Sequence, residues 1–270
     1  MKAGTSKKII RASAALILTL LVSMSLACNN KSDSRIVIAG STSVQPYAEL
    51  LAEEFELLYP DDEIDIQGGG SSAGITAAET GAADIGMSSR ALKEAEQGLW
   101  SIEIAKDGLA VIVNPENPVG NLTLEQVRNI YAAEIISWDE LGGKNAKIHI
   151  ITREEGSGTR SAFEDLVMGE LRITPRAIVQ ASNGSVRQLV ADDPDSIGFI
   201  SLGLVDQTVK AIQLDGVAAT SENVALGNYS LYRPFLFVAK AEPTGLAMQF
   251  IDFILSHEGQ RLMIDEGLIP

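Results

Sequence analysis

Apolar and polar positions alternate along the chain in two different ways. Short apolar runs typical of buried strands are separated by segments in which apolar residues recur at the spacing of an amphipathic helix. This alternation predicts an α/β protein with mostly parallel strands and crossover helices. We predict strands over 35–39, 63–67, 84–87, 109–113, 147–152, 177–180, 197–200, 209–213 and 231–240, and helices over 46–58, 74–80, 124–132, 159–168, 186–191 and 244–266.

The helix predicted over 124–132 has a clear start signal. Thr123 precedes it and Gln126 follows three residues later, which is the spacing of a capping box. We therefore expect this helix to begin at Leu124.

The N-terminal segment has the pattern of a signal peptide. Four basic residues within the first 11 positions precede an apolar run over 14–24. That run is shorter than the roughly 20 residues needed to span a bilayer, which favours a cleaved signal. Cys28, the only cysteine, follows Ala27 where a lipobox places its lipidated residue, although position 25 holds Ser instead of the usual Leu. We predict a signal peptide over 1–27, a lipidated tether over 28–34 and an exported protein; the alternative is an ordinary signal peptide with a chance cysteine.

Composition and charge restrict the classes of partner. The chain has 270 residues, 46% of them apolar and 21% charged, which is typical of a globular protein. A formal net charge of −15 argues against a nucleic-acid partner, because the phosphate backbone would be repelled. One cysteine and two histidines favour no zinc-type cluster, and we expect no metal and no cofactor.

Four turns rich in Gly, Ser and Thr precede predicted helices, at 40–43, 68–72, 156–159 and 182–185. Helix N-termini carry unpaired N–H groups and a partial positive charge, so each turn is a candidate anion site. Capping alone explains any single turn, but four turns offer more hydroxyls than capping needs. The candidate ligands are Ser41, Thr42, Ser43, Ser71, Ser72, Ser157 and Thr159.

Arg153 is the candidate charged ligand. It ends an apolar strand immediately before the turn at 156–159, where its guanidinium can donate two hydrogen bonds to an oxyanion. The alternative for an isolated arginine is a solvated surface charge.

Five short motifs occur in order along the chain, at 40–44, 69–74, 83–90, 153–159 and 196–200, and the segment 229–234 extends the likeness. Together they make the chain similar to the phosphate-binding lipoproteins of ABC phosphate importers. The resemblance implies a two-lobed periplasmic-binding-protein-like fold of type II, with a hinge and a ligand cleft between the lobes. It also implies a monomer that captures inorganic phosphate, is no enzyme, and delivers the anion to a membrane permease.

The resemblance also assigns roles to single residues. It implies ligands at Thr42, Ser43 and Ser72 in the first lobe, and at Arg153, Ser157, Gly158 and Thr159 in the second. Glu155 occupies the position of an acid that pairs with the arginine. Some members carry an aspartate that accepts the ligand's proton, and here Ser89, followed by Arg90, holds that position.

The lobe boundaries follow from two candidate crossings. The segment 114–118 contains two prolines and is expected to be stiff and extended, and 228–234 precedes a long β-rich run. We predict one lobe from 35–114 with 229–270 and the other from 115–228.

Two alternatives to phosphate capture stay open. The first is another tetrahedral oxyanion, sulfate, molybdate or tungstate. The second is a serine hydrolase, because residues 70–74 match the pattern G-x-S-x-G around Ser72. Such an enzyme needs a histidine base, and only His149 and His257 are present.

Overall fold

The structure, a computed structural model, describes residues 34–270. Its strands are β1 (Arg35–Gly40), β2 (Glu63–Gly68), β3 (Ile85–Ser88), β4 (Trp100–Val113), β5 (Asn121–Leu122), β6 (His149–Arg153), β7 (Ile178–Gln180), β8 (Ser196–Ser201), β9 (Lys210–Ala211), β10 (Gln213–Leu214) and β11 (Tyr232–Ala239). Its α-helices are α1 (Gln45–Leu58), α2 (Ser71–Thr80), α3 (Leu124–Tyr131), α4 (Gly158–Phe163), α5 (Asn183–Asp192), α6 (Ser221–Ala225), α7 (Gly245–Leu255) and α8 (His257–Asp265). Cys28 and the predicted signal peptide lie outside the described residues.

One long sheet runs through the molecule in the order β2-β1-β3-β11-β4-β8-β6-β7, with β9 paired to β4. The outer pairs are parallel, as the βα alternation predicts. At the centre, however, β11 is antiparallel to both β3 and β4, and β4 is antiparallel to β8. The α/β class is confirmed, whereas the expectation of mostly parallel strands fails at the centre of the sheet.

The buried apolar residues form separate cores on the two halves of this sheet. The first core combines residues 36–105 with residues 235–268. The second core is built from two clusters that both lie within 109–231. The chain passes from one core to the other between Ala105 and Leu109 on β4, and returns between Leu231 and Phe235 on β11. These two paired strands therefore connect the cores.

Several predicted bounds need correction. Strand β4 begins at Trp100 instead of 109, because its first half alternates polar and apolar residues and pairs with β11. Helices α2 and α5 each begin three residues earlier than predicted, within the Gly/Ser turns. The helix predicted over 244–266 breaks at Ser256, whose hydroxyl accepts from the Gly259 N–H and begins α8.

Two further segments also differ. The helix predicted over 159–168 is an α-helix only to Phe163 and continues as a π-helix over Glu164–Met168. The strand predicted over 209–213 splits into β9 and β10. The capping box is confirmed: the Thr123 hydroxyl accepts from the Gln126 N–H at 3.1 Å, and the Gln126 side chain accepts from the Thr123 N–H at 2.8 Å. Within residues 34–270 no helix combines the length and apolarity needed to cross a membrane.

Candidate functional site

The first side of the site is built where β1 ends. The parallel strands β1 and β3 lie side by side, and the turn after β1 is fixed by the Ser41 N–H donating to the Met87 carbonyl at 3.0 Å. Gly40 begins this turn with φ +140°, and a Cβ there would lie 2.4 Å from the Met87 oxygen. Only glycine fits this close approach of backbone to backbone.

Three buried hydroxyls meet beneath that turn. Ser41 Oγ donates to Ser89 Oγ at 2.8 Å, and Ser71 Oγ lies 3.3 Å from Ser89 Oγ. The Ser89 N–H also donates to Ser71 Oγ at 3.0 Å. Each of the three residues is at most 2% exposed. They form a neutral cluster of donors and acceptors, which we call the serine cluster (Ser41, Ser71 and Ser89).

Arg153 supplies a positive charge from the second side. It ends β6 and is 1% exposed. Its Nε and Nη2 donate to the two Glu154 carboxylate oxygens at 3.0 and 2.9 Å, and its Nη2 also donates to Thr42 Oγ1 at 3.1 Å. Nη1 keeps only a long contact of 3.5 Å to Thr159 Oγ1. The guanidinium is therefore held in place while one of its nitrogens stays weakly bonded.

The N-terminus of α4 brings the second side against the serine cluster. Ser157 caps this helix, its hydroxyl accepting from the Arg160 N–H at 3.3 Å. A Cβ at Gly158 would lie 2.2 Å from Ser71 Oγ and 2.5 Å from Ser89 Oγ. Glycine at position 158 lets the helix end approach this closely, because a Cβ there would require Ser71 and Ser89 or the helix end to shift.

Polar contacts join the two sides directly. Ser43 Oγ lies 2.8 Å from Thr159 Oγ1, and the Ser72 N–H donates to the Gly156 carbonyl at 3.1 Å. Both Ser43 and Thr159 are 1% exposed. The candidate donors of both sides thus lie in one buried polar cluster, where hydrogen bonds face little competition from water.

A second buried network reaches Ser43 from behind. Asn183 Nδ2 and Arg233 Nη2 donate to Ser43 Oγ at 2.8 and 3.0 Å. Arg233 also donates to Asp107 Oδ2 from Nη2 at 2.9 Å and from Nε at 3.1 Å, while Ser201 Oγ donates to Asp107 Oδ1 at 2.7 Å. Because both lone pairs of Ser43 Oγ are occupied, its own O–H must donate.

The two charges of this network are fully buried, Asp107 at 1% and Arg233 at 2% exposure. Burial raises the pKa of the Asp107 carboxyl, although the Arg233 charge and the Ser201 hydroxyl oppose this. Burial lowers the pKa of Arg233, Asp107 opposes that shift, and the positive charge of Arg153 adds to it. The charge of Arg153 therefore reaches Arg233 at this site.

Ser72 and Arg90 lie at the solvent side of the site. Arg90 Nη1 and Nη2 donate to the Glu96 carboxylate at 2.7 and 2.8 Å, and Nη2 donates to Ser72 Oγ at 3.3 Å. A cavity of about 890 Å³ opens here, with Ser72, Arg90 and Ser157 in its wall. The wall of this cavity thus combines residues from both sides of the site.

The comparisons with known proteins agree with this geometry. Residues 27–258 match the family model described as a PBP superfamily domain. The phosphate-binding protein PstS of Bacillus subtilis is 33% identical over 89% of this chain and 82% of that protein, and PstS of Borreliella burgdorferi is 31% identical over 94% and 96%. The chain belongs to the PstS family. A crystal structure of a putative phosphate ABC transporter substrate-binding protein with bound phosphate, from Clostridium perfringens, shares the fold at a TM-score of 0.85. It is 45% identical and covers 87% of this chain and 98% of that chain.

In this PstS-family chain, Arg153 pairs with a different acid from the one that the resemblance implies. The resemblance places an acid at Glu155, but Glu155 is exposed and the carboxylate that grips the guanidinium is Glu154. The expectation for Glu155 is wrong in this structure. The turn after β6 directs the side chain adjacent to Arg153 back onto it and directs the next one into solvent.

The PstS-family fold brings most of the candidate residues together, from both sides. They lie in one buried polar cluster, bordered by Ser72 and Arg90, whose members are Ser41, Thr42, Ser43, Ser71, Ser89, Arg153, Ser157, Gly158 and Thr159. Sequence reasoning missed four residues: Asp107, Asn183, Ser201 and Arg233. Asn183 belongs to the fourth Gly/Ser turn and Arg233 to the segment 229–234, so both were within reach of pattern analysis. Asp107 and Ser201 carry no local signal.

The histidines show no link to Ser72 in the described part of the chain. His149 Nδ1 lies 2.7 Å from Asp193 Oδ2 at the surface, and His257 opens α8. Ser72 Oγ instead accepts from Arg90. No observation favours the hydrolase.

Proposed function

We propose that this protein reversibly captures inorganic phosphate and delivers it to the membrane permease of an ABC importer, without acting as an enzyme. One observation carries the proposal: a buried guanidinium, Arg153, lies among hydroxyl groups from both sides of the site. An oxyanion fits such a set because each of its oxygens can accept several hydrogen bonds, and bonds from a charged donor are about twice as strong as neutral ones.

The ligand set is proposed to be Thr42, Ser43 and Ser72 from the first side, and Arg153, Ser157, Gly158 and Thr159 from the second. Ser41, Ser71, Ser89 and Arg90 complete the wall. The Ser43 O–H supports this set, since its occupied lone pairs leave it free only to donate. Micromolar affinity needs about −8 kcal/mol, which a few charge-assisted bonds in a buried site supply.

Capture requires the two sides to separate and close again. We propose that the protein moves as two lobes, 35–114 with 229–270 and 115–228, about a hinge on the connecting strands. The separate cores support two lobes, and so does the small number of strands that join them, but residues 109–113 and 229–231 pack in the second core, so the crossings are proposed at 105–109 and 231–235. In the closed form the anion is shielded from water until the protein docks on the permease.

Phosphate is the favoured oxyanion because the relatives are named phosphate-binding proteins and the Clostridium perfringens structure has phosphate bound. The test is titration calorimetry of the dialysed protein with phosphate, sulfate, molybdate and tungstate. Phosphate is expected to bind most tightly. If sulfate, molybdate or tungstate bound more tightly, phosphate would be the wrong ligand, and if no oxyanion bound, the capture function would be wrong.

We also propose an exported monomer anchored to the cell membrane by lipid at Cys28, on its extracytoplasmic face or in the periplasm. Lipid chains bind membranes through the hydrophobic effect, so Cys28→Ala should release folded protein from the membrane fraction. Cell fractionation with an antibody to the protein measures this. Unchanged membrane retention of the variant would contradict the anchor.

A further inference from the structure

Arg233 is a buried cation with one unused nitrogen. Its side chain is 2% exposed, and its Nε and Nη2 are both bonded. Within residues 34–270, its Nη1 has no hydrogen-bond partner, although it is inaccessible to solvent. A buried donor without an acceptor costs free energy, and more so when it is charged. The unused nitrogen therefore calls for an acceptor inside the protein.

The surroundings of Arg233 indicate what that acceptor is. Its Nη2 donates to Ser43 Oγ, and Ser43 Oγ lies 2.8 Å from Thr159 Oγ1. The other guanidinium of the site, Arg153, is near enough to Arg233 to disfavour its charge. Two like charges in a buried site are stabilised by an anion between them.

Asp107 fixes the orientation of this guanidinium. Arg233 and Asp107 are direct neighbours across the β11–β4 ladder, so backbone pairing sets their distance. Asp107 accepts from Nε and Nη2, which leaves Nη1 turned away from the carboxylate. Ser201 holds the other carboxylate oxygen. Asp107 and Ser201 together therefore fix the orientation of the Arg233 Nη1 donor.

The pair also lies where the chain passes between the cores. Asp107 stands between Ala105 of the first core and Leu109 of the second, and Arg233 stands between Leu231 and Phe235. A ligand contact at this point would act on the two strands that must bend when the site opens.

We propose that Arg233 is a second anion-binding guanidinium, donating from Nη1 to the captured oxyanion, and that Asp107 is its positioning residue. This inference rests on the proposed function. It assigns the protein two arginine contacts, one at the end of β6 and one at the connecting strands.

A purely structural role is the competing explanation, in which Arg233 only neutralises Asp107. Two variants separate the explanations. Asp107→Asn keeps Arg233 and removes the carboxylate charge. The double variant Asp107→Asn/Arg233→Gln removes both charges and leaves a neutral amide side chain at each position. Their difference in affinity isolates what Arg233 does for the anion.

The experiment is calorimetric titration of the full-length protein and its variants with inorganic phosphate. Asp107→Asn should bind more weakly than wild type, because Arg233 then loses the carboxylate that orients it, and the double variant should bind about 10-fold or more weakly than Asp107→Asn, as loss of a charged hydrogen bond implies. Arg187→Gln, which removes an ion pair with Asp206 outside the site, is the matched control and should bind like wild type. Equal affinity of Asp107→Asn and the double variant would overturn the inference.

Arg233→Lys covers the case of a double variant that does not fold. Lysine keeps the charge beside Asp107 but cannot present a second nitrogen to the anion. Weaker phosphate binding at an unchanged melting temperature without phosphate supports the inference, and wild-type affinity overturns it. A wild-type protein that bound no oxyanion would overturn the proposed function as well, so the two failures are distinguishable.

Discussion

The side of the site built on the first core and the side built on the second core differ in the charge that they offer. The first side contributes the serine cluster with Thr42 and Ser43, all neutral, and Arg90, which borders the site, is paired with Glu96. The second side contributes Arg153, 1% exposed and bonded to a carboxylate that is one-third exposed. On the proposed function, we expect the second side to supply attraction for the anion and the first side to supply direction and selectivity.

Removing the charge of the second side should have the largest effect. Arg153→Ala should weaken phosphate binding by about 2–5 kcal/mol, the usual result of deleting one partner from a buried charged contact. Calorimetric titration measures it, with Arg187→Ala as the control. Lysine at position 153 should not restore affinity, because it lacks the guanidinium's planar pair of donors. Wild-type affinity of Arg153→Ala would assign the attraction to another group.

Separating the two sides should have the next largest effect. Gly158→Ala places a methyl group 2.2 Å from Ser71 Oγ, so the closed arrangement should be disfavoured by about 1–3 kcal/mol, the usual cost of overpacking. Phosphate affinity should fall accordingly. Gly184→Ala is the control, because its methyl group would be 3.8 Å from the nearest atom. Equal affinities of the two alanine variants would show that contact between the sides is not needed for binding.

A charge placed on the neutral side should change selectivity more than affinity. Phosphate near neutral pH carries a proton that needs an acceptor, whereas sulfate offers only acceptors. Ser89→Asp should therefore bind sulfate more weakly relative to phosphate, because a carboxylate repels a fully ionised anion. Competition titrations against wild type and Ser89→Asn separate charge from size. If sulfate exclusion were the same in all three, the proton acceptor would lie elsewhere in the chain.

The paired charges on the first side should give the smallest effect, and on stability only. Hydrogen bonds from Arg90 hold the pKa of Glu96 below its ordinary value. A lowered carboxyl pKa stabilises the fold above the unfolded value of about 4.3, and the stabilisation disappears as pH falls through the lowered pKa. Glu96→Gln should thus reduce the unfolding free energy at pH 7 and converge with wild type in acid. Urea unfolding at several pH values tests this, with Glu103→Gln as the exposed control; a constant difference across pH would contradict it.

Most helices and strands of the fold were predictable because the apolar spacing and capping signals that define them lie within each segment. The strands and helices of the outer parts follow their apolar spacing, and the start of α3 follows its capping box. The central β4 could not be predicted in full, since its first half alternates as a half-exposed strand does and lacks a continuous apolar run. Its antiparallel partner β11 lies more than 100 residues away in the chain. Pairing over that distance leaves no mark on local spacing.

The candidate site also combines residues that the local sequence indicates with residues that only the tertiary structure brings together. The sequence by itself singled out the serine and threonine turns, including the turn that holds Gly158, because they stand at helix starts, where chain order alone exposes N–H donors. It also singled out Arg153, because this residue ends a strand just before such a turn. Only the tertiary structure decided that Glu154, and not Glu155, holds Arg153, since the course of the turn sets which side chain points back. It also decided that Asp107 and Arg233 meet behind Ser43. The register of β4 against β11 creates that pair, and strand register depends on contacts between distant parts of the chain.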